Sequence, residues 1–379
     1  MSPPEHRYEI ISGKPILSEE EKAGYSAGLV YAWGTVGSIA GTFLTTFVLI
    51  PYLGSRLTLY SCFFIALLVL VGLLLFAGRR QTLLCVFIFL ISLVVLPAPI
   101  LSQNVLLEAE SAYNQIKLVK KNELIYMILN SPNSALAHSV YVKDGTLMNV
   151  SLIDLFNVGA EVVAAKDILV LGMAGGASVR QFQQYFPEAK IDAVEIDPKI
   201  VEIAKEKFEI SESEKLKIYI DDARPFLVKS GKKYDLIEVD LFQGSPYIPF
   251  YVLTREFFKN INNSLSEGGV MVMNLYAPAK KEITGPALTT IAAAFPSVYE
   301  IPIGDNLLVL ATKTKMSVEE VREKIKNAFV AEKADLESIN EYALRNISEF
   351  VANKKAPIFT DDWAPVELIT HKMIKGLRL

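Results

Sequence analysis

Hydrophobic residues are arranged in two different ways along this chain. In the N-terminal part they form three long apolar segments, at 27–50, 57–77 and 82–101. Each segment reaches the roughly 20 residues that a helix needs to cross a bilayer. Beyond residue 150, short apolar runs alternate with amphipathic stretches, which is typical of β-strands that alternate with helices. The pattern therefore predicts a membrane part followed by an α/β part.

Four regions follow from this pattern. The first apolar segment is too long and starts too late for a signal peptide, and two more follow it. Short alternating stretches flank a polar turn at 120–123, which indicates a β-hairpin. We expect an N-terminal tail over 1–25, a membrane domain with three transmembrane helices over 26–101, a small β subdomain over 102–150 and a Rossmann-like domain over 151–379.

The last region predicts a doubly wound, mostly parallel sheet of the Rossmann-like methyltransferase type. In such a fold the helices between the strands cover both faces of the sheet. Its strands are therefore buried on both sides and apolar throughout. Two further strands, near 297–302 and 306–312, are close enough in the chain to form an antiparallel edge. The other strands are expected near 167–172, 190–196, 215–220, 234–240 and 269–275, and the helices near 177–186, 198–208, 254–266 and 284–294.

Composition and charge narrow the function classes. The net charge is −4, and the region 26–101 carries only Arg56, Arg79 and Arg80, so the remainder is acidic at −7. An acidic soluble part excludes a general nucleic-acid-binding surface and tolerates a cationic substrate. Both cysteines, Cys62 and Cys85, lie in apolar runs, so we expect neither a disulfide framework nor a metal site.

A glycine-rich turn carries the first candidate chemistry. Gly172, Gly175 and Gly176 follow a buried strand and open a helix, where glycine lets the backbone approach a ligand closely. Glu195 falls 23 residues after Gly172, at the end of the next strand. A carboxylate at this spacing can accept from both hydroxyls of a ribose. Together these residues predict a nucleoside-binding half-site.

Polar residues also follow the third and fourth strands. In an open α/β sheet the ligand lies beyond the carboxyl ends of the strands, so these residues are candidates for the same site. Asp222 and Ala223 are expected to contact the base of the nucleoside, and Asp240 ends an apolar strand. Asp197, before Pro198, fits a helix cap better than a ligand. Arg224 either contacts ligand or pairs with an acid.

The chain resembles the spermidine synthase (polyamine aminopropyltransferase) superfamily, and within it the membrane-fused spermidine synthase-like proteins. The segment 360–367, Thr-Asp-Asp-Trp-Ala-Pro-Val-Glu, is similar to the closing signature of that subgroup, and 31–58 is similar to its last membrane helices. The other similar stretches are 110–116, LVLGMAGG at 169–176, VEIDP at 194–198, DDARPFL at 221–227, YDLIEVD at 234–240, 249–258 and 265–269.

The resemblance implies a ligand and residue roles. The ligand of the family is decarboxylated S-adenosylmethionine. By resemblance, Glu195 would bind the ribose, Asp222 the adenine amine and Gly172 the part derived from methionine. Asp240 would be the general base that takes a proton from the attacking amine. A protonated amine has no lone pair, so a carboxylate that holds and deprotonates it makes chemical sense.

Three positions depart from the family pattern. Gly175 stands where the family has an acid that anchors the aminopropyl amine. Gln243 replaces the second Asp of the strand-four motif, and Asn114 replaces the Gln of a Tyr-Gln motif. The nucleoside positions are kept, so these departures favour an altered amine acceptor. We expect Asn114, Gln115, Gln243 and Tyr247 to line the acceptor side.

Three functions remain open from the sequence. The leading hypothesis is a membrane-anchored, spermidine synthase-like aminopropyltransferase of polyamine biosynthesis. The second is an S-adenosylmethionine-dependent methyltransferase, because loss of the acid at Gly175 would leave room for the methionine carboxylate. The third is a non-catalytic nucleoside or polyamine sensor, or a transporter accessory. The expected partners are a small amine, membrane lipid and a second copy of the chain. An integral protein of the inner or plasma membrane, with a cytoplasmic catalytic domain, is expected.

Overall fold

A computed structural model describes most of the chain. The chain divides into two compact units, Met1–Pro97 and Ala98–Leu379. The described residues of the first unit form a short antiparallel pair, Ile10–Ile11 with Lys14–Pro15, followed by helices, and the second unit contains the two larger sheets. The described residues are 10–11, 14–15, 19–77, 104–131, 137–143, 146–244, 247–276, 283–328, 335–352 and 356–376.

The described part of the first unit is helical from residue 19 to residue 77. Helix α1 (Glu19–Leu44) continues through a π-helical turn (Thr45–Leu49) into α2 (Ile50–Ala77). Gly54 interrupts α2 with φ 78° and ψ 162°, a conformation that glycine adopts without steric cost. The segment Lys22–Ser55 is long and apolar enough to cross a membrane, whereas Leu57–Gly72 is apolar but shorter.

One of the three expected spans therefore lies in a helix of the required length, within the described residues. The second, at 57–77, coincides with the shorter apolar helix. The third, at 82–101, lies outside the described residues. Three transmembrane helices are not confirmed.

The second unit begins with a four-stranded antiparallel sheet whose strands are paired in chain order. Asn122, at φ 57°, forms the tight turn between its second and third strands, at the polar turn that the sequence predicted. On the second and third strands, the side chains of Ile116, Leu118 and Met127 are fully buried. The strands are β1 (Val105–Glu110), β2 (Gln115–Lys121), β3 (Leu124–Leu129) and β4 (Ser139–Val142).

The larger sheet has eight strands, of which five are parallel. Along the sheet the order is β12-β10-β11-β9-β8-β5-β6-β7, and β10, β11 and β12 form an antiparallel edge. The strands are β5 (Asp167–Leu171), β6 (Lys190–Glu195), β7 (Leu216–Ile220), β8 (Tyr234–Val239), β9 (Leu265–Tyr276), β10 (Ser297–Ile303), β11 (Asn306–Thr312) and β12 (Ser348–Glu349).

Helices cover both faces of this sheet. Alternate residues of each central strand enter different hydrophobic clusters: Val170 and Leu236 pack on one face, Leu169 and Ile237 on the other. The helices are α3 (Leu152–Val163), α4 (Ala177–Tyr185), α5 (Pro198–Lys207), α6 (Ala223–Lys229), α7 (Arg255–Ser264), α8 (Thr284–Ala292), α9 (Val318–Asn327), α10 (Glu337–Asn346) and α11 (Val366–Gly376).

The parallel arrangement and the antiparallel edge agree with the sequence prediction. Helices α3, α6 and α11 were not predicted. The start of α3 carried a signal, since Ser151 and Asp154 form a capping box. The chain enters the sheet at β5 and runs outward to β7 before returning to β8. A crevice therefore opens at the carboxyl ends of β5 and β8, where the direction of winding reverses.

Candidate active site

A cavity of about 540 Å³ lies at this crevice. Its volume is within the usual range for small-molecule sites. The carboxyl ends of β5, β6, β8 and β9 contribute to its wall, as do the start of α6 and the turn between β10 and β11. Of the residues that the sequence predicted, the wall contains Asn114, Gly172, Glu195, Asp222, Ala223, Asp240 and Gln243.

Gly172 permits the close approach of two strand ends. Its φ is +88°, and a Cβ atom there would lie 2.2 Å from the backbone oxygen of Asp240. Its amide donates to the carbonyl oxygen of Val194 over 3.0 Å, which ties the loop to the next strand. Any side chain at 172 would separate the ends of β5 and β8 and enter the crevice.

Gly175 and Gly176 lie outside the cavity wall. A Cβ atom on Gly175 would come within 2.7 Å of the Phe208 ring and 2.8 Å of the Ser139 hydroxyl, and one on Gly176 would meet Ile210 at 2.7 Å. Both glycines therefore allow the loop to pack against neighbouring side chains. An acidic side chain at 175 would therefore overlap Phe208 and Ser139.

Glu195 is a buried carboxylate held in a fixed orientation. Its Oε2 accepts from the backbone amide of Ala174 over 3.0 Å, and its Oε1 accepts from that of Asp197 over 3.1 Å. Burial raises the pKa of Glu195 to about 7, and the two amides oppose this rise. The carboxylate can accept further hydrogen bonds from hydroxyl groups in the cavity.

Asn114 reaches the wall, but its amide is engaged within the protein. Its Nδ2 donates to Oδ2 of Asp197 over 2.8 Å, and its Oδ1 accepts from Asn130 over 2.8 Å. Asp197 also caps α5, as the sequence predicted, through Oδ1 and the amide of Lys199. Through these bonds Asn114 connects the small sheet to the end of β6. Gln115 is exposed and lies outside the cavity wall.

Asp222 and Ala223 form the start of α6. Asp222 is the N-cap, and its Oδ1 accepts from the amide of Arg224 over 2.9 Å. This bond occupies one of its two carboxylate oxygens. Asp221 also lies in the wall, and its Oδ1 accepts from the amide of Asp222 over 2.9 Å. Arg224 pairs with an acid distant in the chain, Asp361.

Asp240 is paired with an asparagine on the neighbouring strand. Its Oδ1 accepts from Nδ2 of Asn274 over 2.8 Å. Burial raises the pKa of Asp240 to about 6, and the bond from Asn274 opposes this rise. A carboxylate with this pKa is largely ionised at neutral pH and can accept a proton there.

A second acid lies behind Asp240. Glu238 is 1% exposed, and its Oε1 accepts from the hydroxyl of Ser178 over 2.8 Å. Burial raises the pKa of Glu238 well above its usual range, and the charge of Asp240 raises it further. Both effects favour the protonated, neutral form of Glu238, which avoids a second negative charge beside Asp240.

Gln243 and Tyr247 close a tight turn after β8. The amide of Gln243 donates to the carbonyl of Tyr247 over 2.9 Å, and the amide of Tyr247 donates to Gly244 over 2.8 Å. Gln243 lines the cavity, whereas Tyr247 is not among its described lining residues. Tyr251, four residues later, lies in the wall instead.

Residues 149–321 match the family model of the spermine/spermidine synthase domain. This region belongs to the spermine/spermidine synthase domain family. The chain is 31% identical over 282 residues to a probable polyamine aminopropyl transferase of Bifidobacterium longum, covering 70% of this chain and 62% of that protein. It is 28% identical over 209 residues to a polyamine aminopropyltransferase of Vibrio vulnificus, covering 53% of this chain and 69% of the relative.

A solved structure agrees in fold. The crystal structure of a probable spermidine synthase from Corynebacterium glutamicum superposes with a TM-score of 0.53 at 18% identity, and the match covers 70% of this chain and 97% of that chain. At this identity the likeness establishes the α/β methyltransferase-like fold alone. The chain spans only 62% of the length of the Bifidobacterium relative.

Sequence reasoning missed several residues of this cavity, among them Asn274, Tyr276 and Asp305. Asn274 and Tyr276 had a signal, because they lie at the end of the fifth parallel strand, β9, whose carboxyl end meets the same crevice. Asp305 lies in the turn between β10 and β11, which does not follow a parallel strand, so it carried no such signal.

Proposed function

We propose that this chain transfers an aminopropyl group from decarboxylated S-adenosylmethionine to an amine, as a membrane-anchored enzyme of polyamine biosynthesis. The observation that carries the proposal is the part-buried, hydrogen-bonded pair of Asp240 and Asn274 in a cavity that Glu195 also lines. Asp240 can accept a proton from an amine, and Glu195 can accept hydrogen bonds from a ribose. One cavity that contains both groups suits an enzyme that transfers a group from a nucleoside to an amine.

The nucleoside end is formed by Gly172, Glu195, Asp222 and Ala223. In this proposal Glu195 accepts from the ribose hydroxyls, and Asp222 accepts from the adenine amine. Gly172 allows the ends of β5 and β8 to come close, because a Cβ atom there would meet the backbone of Asp240, and in this proposal it lies beside the part derived from methionine. The cavity volume of about 540 Å³ suits a nucleoside together with a small amine.

The reaction needs one proton acceptor and correct alignment. Asp240 takes a proton from the ammonium group of the acceptor, which frees the nitrogen lone pair. The nitrogen then forms a bond to the carbon attached to the sulfonium, and the carbon–sulfur bond breaks. Its electron pair stays on sulfur, which leaves as a neutral thioether nucleoside. The sulfonium is already a good leaving group, so alignment supplies most of the remaining rate enhancement.

The acceptor end is lined by Gln243, Asn274, Tyr276 and Asp305. Two family acids are missing at Gly175 and Gln243, so the acceptor is held differently from the family pattern. Asn274 is nine-tenths buried, and its Oδ1 has no hydrogen-bond partner among the described residues. Such an oxygen suits an amine N–H group, since an unpaired buried acceptor is costly. Asp305 adds a negative charge near Tyr276.

The membrane part of the proposal rests on the helix Lys22–Ser55. Its most apolar 18-residue stretch has a mean hydropathy of 1.6, and none of that stretch is buried against the rest of the protein. Large apolar side chains such as Tyr31, Trp33 and Phe47 are more than half exposed on it. Exposure of these apolar side chains to water is unfavourable, and a lipid environment would remove that exposure.

The deciding experiment is calorimetric titration of the detergent-solubilised chain with decarboxylated and intact S-adenosylmethionine. Tighter binding of the decarboxylated form, followed by turnover with an amine, would support the proposal. Tighter binding of the intact form with methyl transfer would replace it with the methyltransferase hypothesis. Binding without turnover would favour a sensor. Glu195→Gln is the control, because it should weaken the binding of either nucleoside.

A further inference from the structure

The loop 247–252 supplies part of the cavity wall but has little structure of its own. Pro249, Tyr251 and Val252 line the cavity, and its single regular element is the 3-10 turn Phe250–Val252. Tyr251 lies close to the predicted adenine ligand Asp222. Burial raises the pKa of the Tyr251 hydroxyl, and the charge of Asp222 raises it further. The position of this loop therefore affects the nucleoside end.

Contacts from the end of the chain hold this loop on one side. We name residues 359–367 the C-terminal clamp. Glu367 Oε1 accepts from the amide of Phe250 over 3.2 Å, at the start of the 3-10 turn. The carbonyl of Phe359 accepts from the amide of Arg255 over 2.9 Å, directly after the loop. The clamp thus bonds to the backbone at both ends of the segment that carries Tyr251.

Arg224 connects the clamp to the nucleoside end. Its guanidinium forms an ion pair with Asp361 of the clamp, and its Nη1 donates to the carbonyl oxygen of Tyr251 over 3.3 Å. Its own amide donates to the capping carboxylate of Asp222. One residue therefore joins the clamp, the loop and the start of α6. The bond from Arg224 lowers the pKa of Asp361, so the pair is ionised over a wide pH range.

The clamp itself is anchored in the core. Phe359 and Val366 are fully buried, in the hydrophobic cluster that also contains Val252. The amide of Phe359 donates to the hydroxyl of Thr290 over 2.9 Å. Thr360 and Trp363 exchange two backbone hydrogen bonds of 3.0 Å, which closes a tight turn around Asp361. Asp361 is therefore presented to Arg224 from a fixed position.

We propose that the C-terminal clamp positions Tyr251 as a wall of the nucleoside site, with Arg224 and Asp361 as the positioning residues. Tyr251 is then a specificity-determining residue that contacts the nucleoside, whereas the clamp acts through it. This inference rests on the proposed function for the identity of the ligand, and it gives a role to the segment 360–367, which the reaction itself does not use.

The test is calorimetric titration of the full, detergent-solubilised chain with 5′-methylthioadenosine. Asp361→Asn removes the charge of the ion pair, and we expect an affinity loss of about fivefold, the upper range for a partly exposed pair. Asp361→Glu should restore most of the affinity. Glu341→Gln is the matched control. It breaks the exposed ion pair between Arg345 and Glu341, neither of which lines the cavity, so it should leave the affinity unchanged.

A double-mutant cycle separates positioning from a general structural effect. If the clamp acts through Tyr251, then Asp361→Asn should cause no further loss in a Tyr251→Ala background. The thermal midpoint should fall equally in Asp361→Asn and Glu341→Gln. Normal affinity in Asp361→Asn, or full additivity with Tyr251→Ala, would overturn the inference while leaving the proposed function intact. A parent chain that binds no nucleoside would overturn both.

Discussion

Asn274 donates a hydrogen bond from Nδ2 to Oδ1 of Asp240 over 2.8 Å. Asn274 lies on β9, and Asp240 directly follows the neighbouring strand β8. Strands β8 and β9 are parallel, with Val239 opposite Met273, so the next residue on each strand meets at the crevice. The asparagine orients the carboxylate and leaves its own carbonyl oxygen without a partner among the described residues. Five predictions follow from this pair and its surroundings.

Replacement of Asn274 by leucine should change the pH dependence of the reaction. The bond from Asn274 lowers the pKa of Asp240, which burial raises to about 6. Without that bond the pKa rises further, so the acidic limb of the kcat/KM profile should move to higher pH. Rates measured across the acidic range would check this. A limb at its original position would mean that another group titrates there.

Asp240→Asn should remove the proton acceptor without removing the nucleoside site. We expect single-turnover rates to fall by roughly 10²- to 10⁴-fold, the usual contribution of a general base. Affinity for 5′-methylthioadenosine should change little, because Glu195 and Asp222 are untouched. Parallel losses of rate and affinity would indicate that Asp240 supports the fold or binds the nucleoside.

Glu195→Gln should make the stability of the unliganded protein less dependent on pH. Burial raises the pKa of Glu195 from 4.5 to about 7, so the folded state favours the protonated acid. Its contribution to stability is fully present below pH 4.5 and is lost as the pH rises through about 7. Glutamine removes that loss, which is worth at most about 3 kcal/mol.

Thermal unfolding of both proteins at about pH 5 and about pH 8 would check this stability difference. The fall in midpoint from the lower to the higher pH should be smaller for Glu195→Gln than for the parent chain. The variant should also bind 5′-methylthioadenosine more weakly. An equal fall in both proteins would contradict the raised pKa of Glu195.

Asp305→Asn should reduce the preference for a diamine over a monoamine. Asp305 lies in the turn at the acceptor end, beside Asn306, which is opposite Tyr276 on β9. Loss of its charge should raise the KM for 1,4-diaminobutane by about fivefold and leave the KM for butan-1-amine unchanged. Asp167→Asn is the control, since Asp167 is an exposed aspartate at the opposite, amino edge of the sheet. Equal changes for both amines would exclude a contact between Asp305 and the second amino group.

Gly175→Asp should destabilise the protein and fail to restore the acid of the family. The new side chain would overlap Phe208 and Ser139, and overpacking of this kind typically costs about 1–3 kcal/mol. Thermal unfolding should show a lower midpoint, and Phe208→Leu in the same chain should recover part of it. An unchanged midpoint with tighter binding of decarboxylated S-adenosylmethionine would show that the loop accepts the acid after all.

Much of the cavity wall formed by β5 and β6 could be predicted from the sequence because its signals are local. Gly172 and Glu195 lie in a strand, turn, helix and strand whose spacing follows from the geometry of one βαβ unit. Asp240 ends an apolar strand, and the carboxyl ends of parallel strands meet at one edge. Hydropathy alone predicted the apolar N-terminal segments, of which the described structure supports one membrane-length helix.

The rest was decided by contacts between distant parts of the chain. Arg224 meets Asp361, 137 residues away, and thereby joins the C-terminal clamp to the loop that carries Tyr251. Phe208 lies where a side chain at 175 would extend, although it is 33 positions further along the chain. Periodicity and spacing report which residues share a strand or a helix face, but packing of separate elements determines which side chains meet. The sequence alone therefore determined the fold class and the position of the crevice, whereas only the tertiary structure decided that Asn274 and Asp305 line it.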